Sequence, residues 1–298
     1  MVELDKVTER IESAFPGLSP QLMRAARYVL DSPDDVALNS MRTVAARAGV
    51  HPSAMVRLAR KLAYSGYAEF REPFRQHLRT HPTRYASRAR HLQARGVDGE
   101  AGALFGELVS SGEDNIRRTF EGAGPAELEA VVETLAAARR IYVVGMRKCY
   151  PVAFYFHYAC RMFRDQVTLL NGWAGTLSDE LRDLGPEDAL LAVSFEPYTR
   201  ETVTAARHAA AAGAAVVAIT DSAVSPLGAG ARHVLLVANA SPSFFRSLVG
   251  AMALAEALVA FLVARGGERT VAGLAQTERQ LRAFGAYWQD GGQWSPGP

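Results

Sequence analysis

Cysteine is scarce in this sequence, and the spacing of metal ligands is missing. The 298 residues contain two cysteines, Cys149 and Cys160, and no CxxC pair. The seven histidines are scattered and form no cluster with cysteine or acidic residues. We therefore expect no disulfide framework, no metal site and no cofactor, and reduced thiols suit the cytoplasm.

Long uncharged apolar runs and catalytic residue sets are also missing. The N-terminal stretch MVELDKVTER is charged and has no signal-peptide core. The most apolar segment, 243–265, contains Glu256 and is rich in alanine, which indicates a buried helix or an oligomer interface rather than a membrane span. No Ser/His/Asp set stands out, so we expect neither a membrane protein nor an enzyme. Glu196 and Glu201 are the best leads to a catalytic base.

What the sequence does contain is a concentrated block of basic residues. The whole chain has a net charge of only +2, but residues 40–95 hold twelve Lys and Arg against Glu69 and Glu72, a local charge of +10. The remaining segments are acidic. Such a block inside an otherwise acidic chain indicates a polyanionic partner.

The stretch from Ser40 to Lys61 predicts a helix-turn-helix. Its apolar positions give each of two short helices one inward stripe, and Gly49 lies where the chain must turn sharply. The second helix of such a motif enters the DNA major groove. We expect contacts to base edges or phosphates from Arg42, Thr43, Ser53, Ala54, Arg57, Arg60 and Lys61.

Two other interpretations of this stretch stay open. It can be an ordinary helical hairpin with solvated basic residues, or a module that contacts another protein.

His51 stands where a capping side chain is needed at the start of the second helix, and histidine is a poor cap.

After about residue 140 the pattern changes from helical to alternating. Five short apolar runs, near 141–144, 167–170, 189–193, 215–219 and 234–237, are separated by stretches of helical character. This alternation predicts a five-stranded parallel sheet with helices on its faces. We therefore divide the chain into a helical domain (1–80), a linker (81–99), an α/β domain (100–285) and a flexible tail (286–298).

These two parts resemble one known family. The text MRTVAARAGVHPSAMVRLARKLAYSGYAEFR resembles the helix-turn-helix domain of RpiR/MurR-type bacterial transcription regulators. The text AAGAAVVAITDSAVSPLGAGARHVLLV resembles a sugar isomerase (SIS) domain, the effector-binding half of such regulators. The resemblance implies an all-helical helix-turn-helix domain followed by a SIS-like α/β domain, and DNA affinity controlled by a small metabolite, often a phosphosugar.

In an open parallel sheet, ligands bind beyond the carboxyl ends of the strands. Family members use Gly-x-Gly-x-Ser and Ser-x-Ser-Gly-x-Thr loops there, whereas this chain has Arg147 for the second Gly, Cys149 for Ser, and Glu196-Pro197 for Ser-Gly. An anionic or sugar-derived effector remains expected, because basic side chains can replace the backbone contacts. The candidate effector residues are Arg147, Lys148, Cys149, Ser194, Glu196, Thr199, Ser222 and Ser225.

Three further expectations concern this α/β part. Cys149 follows two basic residues near a helix start, which lowers a thiol pKa and suits redox sensing, although an ordinary buried thiol is commoner. Tyr150, Phe154 and Tyr158 share one helix face, and we expect them in the core. The rival function is an aldose–ketose phosphate isomerase with a basic helical extension.

The resemblance also sets the expected partners. One partner is a double-stranded DNA operator, expected to be an inverted repeat because paired recognition helices must meet successive groove faces. The other is a further copy of the chain, in a homodimer or homotetramer. No membrane partner is expected.

Overall fold

The computed structural model describes residues 3–80, 85, 88–89, 92–93 and 101–288. Their first part is entirely helical. Its helices are α1 (Glu3–Ala14), α2 (Pro20–Asp31), α3 (Pro33–Leu38), α4 (Met41–Arg47), α5 (Pro52–Lys61) and α6 (Tyr67–Thr80). One apolar core between Leu4 and Phe74 holds them together, with Val7, Ile11, Met55 and Phe70 fully buried.

Helix α3 follows α2 after a single residue and was not predicted from the sequence. Pro33 lies directly beyond the end of α2. Ser32 ends α2 and also precedes α3, whose first residue is Pro33. Proline suits the first position of a helix, because the N–H it lacks would have no partner there.

The second part alternates helices and strands as predicted. The helices are α7 (Ala101–Gly122), α8 (Pro125–Ala137), α9 (Tyr150–Arg161), α10 (Leu177–Glu180), α11 (Arg200–Ala211), α12 (Val249–Arg265) and α13 (Gly267–Ala283). The strands are β1 (Ile141–Val144), β2 (Val167–Leu170), β3 (Ala189–Val193), β4 (Ala215–Thr220) and β5 (His233–Leu236). All neighbouring pairs are parallel, in the order β2-β1-β3-β4-β5, so the predicted five-stranded parallel sheet is confirmed.

Both faces of the sheet are covered, because alternate strand residues point to opposite sides. On one face Ile141 and Val143 join the core formed with α8, α9 and α12. On the other face Tyr142 and Val144 pack with residues of α11. Burial on both sides explains why the strands are continuous apolar runs rather than alternating ones.

Helix α12 is buried within its own domain. Ala251, Leu254, Leu258 and their neighbours lie in the core between the sheet and helices α7, α8 and α9. Its apolar sequence therefore reflects packing inside the chain, as one of our two interpretations predicted, and its role as an oligomer interface stays a prediction. Among the described residues no single helix is long and apolar enough to cross a membrane; only α12 and α13 together pass by length and composition, across a bend of 114°.

The aromatic residues on α9 are not in the core, contrary to our expectation. Tyr150, Phe154 and Tyr158 are 37%, 47% and 51% exposed and stack on one another along the helix. The reason is that α9 packs through a different face, on which Val152 and Phe156 are fully buried.

The predicted linker and tail fall largely outside the described residues. Within 81–99, the described Tyr85, Arg88, Ala89, Leu92 and Gln93 have helical backbone. Of the predicted tail, 289–298 lie outside the description, and the described 286–288 follow the end of α13.

Candidate functional site

Helices α4 and α5 form the predicted helix-turn-helix, and local contacts fix both helix starts. The Ser40 hydroxyl accepts a hydrogen bond from the Thr43 N–H at 3.3 Å and caps α4. Gly49 turns the chain with a φ of +64°, a conformation that side chains disfavour. His51 does cap α5, since its Nδ1 accepts from the Ser53 N–H at 3.3 Å. Our expectation of a poorly capped start was therefore wrong.

The predicted DNA-contacting residues divide into one buried residue and an accessible set. Ala54 is fully buried in the helical core, so it cannot touch a thymine methyl, and our prediction for it was wrong. Its position one turn before Leu58 places it on the packing side of α5. Thr43 is half-buried, and the remaining predicted residues are exposed: Arg42, Ser53, Arg57, Arg60 and Lys61.

Two features of this surface were not predicted. The Arg57 guanidinium donates a hydrogen bond to Gln21 Oε1 at 2.8 Å, so the start of α2 holds the central arginine of α5. A groove of about 630 Å³ beside Lys61 is lined by Lys6 and Arg10 of α1. Neither the hydrogen bond nor the groove could be predicted from the residue spacing within α5, because both depend on how α1 and α2 pack against that helix.

A cavity of about 540 Å³ lies beyond the carboxyl ends of β1 and β3. This is the topological switch point of the sheet, where open α/β domains bind ligands. The cavity is lined by Tyr85, Arg147, Lys148, Pro197, Tyr198, Thr199, Arg200, Glu201 and Phe245. Three cations and one carboxylate thus face the same space.

Three predicted effector residues line this cavity: Arg147, Lys148 and Thr199. Arg147 has a φ of +54°, so the backbone takes a left-handed conformation although a side chain is present. The Lys148 ammonium donates to the Glu196 carbonyl oxygen, and burial lowers the pKa of Lys148. Thr199 is nearly buried and directly precedes α11.

The other predicted effector residues do not line the cavity. Ser194 Oγ accepts from the Thr199 N–H at 3.1 Å, and Glu196 faces Arg246 at 3.8 Å. Ser222 Oγ donates to Glu12 of α1 at 3.3 Å, while buried Ser225 accepts from the Gly228 N–H. These side chains shape the loops around the cavity rather than its wall.

Cys149 is a buried thiol and does not have the properties of a redox sensor. Burial raises the pKa of Cys149 to about 11, and this effect outweighs the nearby charge of Lys148. Our expectation of a lowered pKa rested on the two basic neighbours in sequence. It failed because the side chain points into the core, where a thiolate is poorly solvated.

Asp221 organises the loop after β3 and was missed in the sequence. Its carboxylate accepts from the Tyr198 hydroxyl at 2.9 Å, from the Glu196 N–H at 3.1 Å and from the Asn239 amide at 3.2 Å. Tyr85, Arg200 and Phe245 were also missed as cavity residues. Arg200 was detectable, since it directly follows Thr199; the other two reach the site from distant parts of the chain.

The two candidate catalytic bases have different surroundings. Of the two candidate catalytic bases, Glu201 lines the cavity, whereas Glu196 is turned toward Arg246. Within the described part of the chain, no group of three or more histidine, cysteine or acidic side chains is arranged to hold a metal ion.

Comparison with known proteins agrees with this geometry. Residues 5–81 match the model of the rpiR-family helix-turn-helix domain, and residues 134–261 match the SIS domain. The uncharacterized HTH-type transcriptional regulator YfhH of Escherichia coli K12 is 29% identical over 227 residues, 76% of this chain and 79% of YfhH.

Two solved structures are also similar. The NanR protein of Vibrio vulnificus, complexed with ManNAc-6P, shares the fold at 22% identity and a TM-score of 0.58, covering 93% of this chain and 98% of NanR. The sugar isomerase domain of an RpiR transcription factor from Sphaerobacter thermophilus is 32% identical, with a TM-score of 0.56, and covers 59% of this chain and 98% of that domain. The chain therefore belongs to the RpiR family of transcriptional regulators, with an N-terminal helix-turn-helix and a C-terminal SIS domain.

Proposed function

We propose that this regulator binds an operator through α5 and that an anionic metabolite in the SIS-domain cavity controls its DNA affinity. The observation that carries the proposal is the cavity at the sheet switch point, where the described part of the wall holds Arg147, Lys148 and Arg200 against one carboxylate, that of Glu201. Side-chain cations of this kind bind carboxylates and phosphates strongly. The functional units are the helical domain 1–80, the linker 81–99, the SIS domain 100–285 and the tail 286–298, and the site of action is the cytoplasm.

For DNA, the outer face of α5 enters the major groove. Ser53 and Arg57 read base edges, and Gln21 holds the Arg57 guanidinium in position for this. Arg42, Thr43, Arg60 and Lys61 bind phosphates, which orient the protein without selecting a sequence. The exposure of the charged members of this set supports these roles.

For the effector, Arg147, Lys148 and Thr199 bind the acidic group, and Ser194, Glu196, Ser222 and Ser225 hold the surrounding loops. NanR, which shares the fold, is complexed with ManNAc-6P, and this supports a phosphorylated or otherwise acidic ligand here. Cys149 contributes to packing below the loop. The left-handed backbone at Arg147 also supports a ligand role, because such strain is kept mainly where function requires it.

The functional protein is a homodimer or homotetramer that binds an inverted repeat. An apolar stripe on α7 supports this, since Phe105, Leu108, Val109 and Ile116 are 70%, 45%, 47% and 39% exposed. A second copy of the chain would cover this stripe, and pairing would present two recognition helices to successive turns of DNA.

The DNA half is tested by fluorescence anisotropy with a duplex from upstream of the protein's own gene. We expect Arg57→Ala to weaken binding by about 1–3 kcal/mol and Lys61→Ala to lower the salt dependence by about one phosphate contact. Arg182→Ala is the matched control, because it removes an exposed arginine from the SIS domain. Unchanged binding by Arg57→Ala would exclude the proposed recognition helix.

The effector half is tested by isothermal titration with glucose 6-phosphate, inorganic phosphate and small carboxylic acids. We expect Arg147→Ala to abolish binding of the anion that the wild type binds. Arg232→Ala serves as the control, since Arg232 lies at the amino end of the edge strand β5, whereas the cavity lies beyond the carboxyl ends of the central strands. Equal binding by the wild type and Arg147→Ala would place the effector elsewhere. The same titrant added to the anisotropy assay shows whether it changes DNA affinity.

A further inference from the structure

Three aromatic side chains at the mouth of the cavity are partly exposed. Tyr85, Phe244 and Phe245 are 46%, 40% and 41% exposed. The rings of Tyr85 and Phe245 are nearly parallel, at 14°, with centroids 5.1 Å apart, and Phe244 meets Phe245 edge-on at 4.7 Å. Exposed apolar clusters of this kind usually mark a binding site rather than part of the folded core.

This aromatic cluster lies beside the cations of the cavity. Tyr85 and Phe245 line the same space as Arg147, Lys148 and Arg200. A ligand there would meet both positive charge and flat aromatic rings. The carboxylate of Glu201 in the same wall offsets one of the three cations, and the remaining positive charge suits an acidic ligand.

Several hydroxyl groups in the loops around the cavity already have partners within the protein. Ser194 accepts from the Thr199 N–H, Tyr198 donates to Asp221, and Ser222 donates to Glu12. A sugar needs polar side chains to replace the water around each of its hydroxyl groups, and leaving those groups unsatisfied is costly. Besides its cations, the described part of the wall offers a ligand only the side-chain oxygens of Tyr85, Thr199 and Glu201, since the Tyr198 hydroxyl is bonded to Asp221, so it suits a ligand with few hydroxyl groups.

We propose that the effector is a carboxylic acid that carries a flat, unsaturated ring with few hydroxyl groups. Its carboxylate binds Arg147 and Lys148, and its ring extends the stack formed by Tyr85 and Phe245. This inference rests on the proposed effector function of the cavity and specifies its ligand class. It also makes Tyr85, which precedes the SIS domain in the chain, a residue that determines ligand specificity.

The test is isothermal titration of the full-length chain with three probes. These are 2-naphthoate, its non-aromatic counterpart cyclohexanecarboxylate, and glucose 6-phosphate. We expect 2-naphthoate to bind most tightly, because it alone provides both the acid and an aromatic face. Tyr85→Ala should weaken its binding by about two- to tenfold, the usual effect of losing one aromatic pair, and Tyr85→Phe should leave it nearly unchanged.

Tyr158→Ala is the matched control. Tyr158 is also about half exposed and stacks on a neighbouring ring, but it lies on α9 and does not line the cavity. Circular dichroism of each variant verifies that it is folded. If Tyr85→Ala is not, Phe245→Leu is the second variant, because it removes the other ring of the stack and should weaken binding of 2-naphthoate to a similar extent.

The possible results separate this inference from the proposed function. Tighter binding of glucose 6-phosphate than of 2-naphthoate, lost in Arg147→Ala, would overturn the ligand class and leave the effector cavity standing. Binding of 2-naphthoate that is insensitive to Tyr85→Ala would overturn the aromatic contact. If no probe binds in a way that depends on Arg147, both the inference and the proposed effector site fail.

Discussion

Ser222 donates a hydrogen bond to the carboxylate of Glu12 across 3.3 Å, joining the loop after β4 to helix α1. The two residues are 210 positions apart in the chain. The neighbouring Asp221 holds the loop that contains Tyr198, a residue of the cavity wall. The helical domain thus contacts the loop system of the candidate effector site directly.

This contact predicts a stability change with pH. Burial raises the pKa of Glu12 above 4.5, and the negative charges of Glu9 and Asp221 add to the effect of burial. A raised pKa in the folded state means that the contribution of Glu12 to stability is fully present below pH 4.5 and is lost as the pH rises through the raised value. Glu12→Gln should therefore be more stable than the wild type at about pH 7, with the difference shrinking toward acid.

Thermal unfolding across this pH range measures the effect. Glu113→Gln, on the exposed side of α7, is the control for removing one carboxylate. A constant difference between Glu12→Gln and the wild type at every pH would contradict the role given to the charge of Glu12.

The cap at the start of α5 makes a second prediction. His51 Nδ1 accepts from the Ser53 N–H, so His51→Ala should lower the free energy of unfolding by about 1 kcal/mol. His51→Ser should restore or exceed the stability of the wild type, because serine is a preferred cap. Urea unfolding followed by circular dichroism measures both variants. Equal stability of His51→Ala and the wild type would show that the histidine bond contributes nothing.

The two cysteines should be unreactive in the folded protein. Burial raises the pKa of Cys149 to about 11 and that of Cys160 to about 12. The thiolate is the reactive form, so alkylation near neutral pH should be very slow. Titration with a thiol reagent should detect two thiols only after denaturation. Rapid labelling of native Cys149 would restore the redox hypothesis.

A close approach of two helices in the SIS domain gives the fourth prediction. A Cβ at Gly250 of α12 would lie 2.6 Å from Thr119 Oγ1 of α7 and 2.9 Å from the Ala238 carbonyl oxygen. Gly250→Ala should therefore destabilise the domain by about 1–3 kcal/mol. Gly106→Ala on α7 is the control: its Cβ would meet nothing within 4 Å, so it should stabilise the helix by about 0.5–1 kcal/mol. Equal unfolding midpoints for the two variants would contradict this packing.

Much of the architecture follows from local sequence pattern. The runs Ile141–Val144, Val167–Leu170 and Ala189–Val193 have the bounds that their apolar residues predict, because strands buried on both faces need uninterrupted apolar sequence. The inward stripe of α5 was equally readable from its helical spacing.

The side of a helix that faces the core was harder to predict where two faces are apolar. On α9, Phe156 is buried and Phe154 is exposed, although both are phenylalanine. Ala54 was misplaced for a related reason, since a small residue is compatible with either face. The neighbours that decide these positions are set by packing between elements, which spacing within one helix does not contain.

By itself, the sequence determined the two-part organisation, the parallel sheet, the basic second helix of the helix-turn-helix and the family, because these depend on local periodicity, charge and short motifs. Only the tertiary structure decided what the cavity wall is made of. Tyr85 and Phe245 come to Arg147 from distant segments, and Ser222 turns to Glu12 instead. Long-range packing brings such residues together, and no local property of the chain encodes that arrangement.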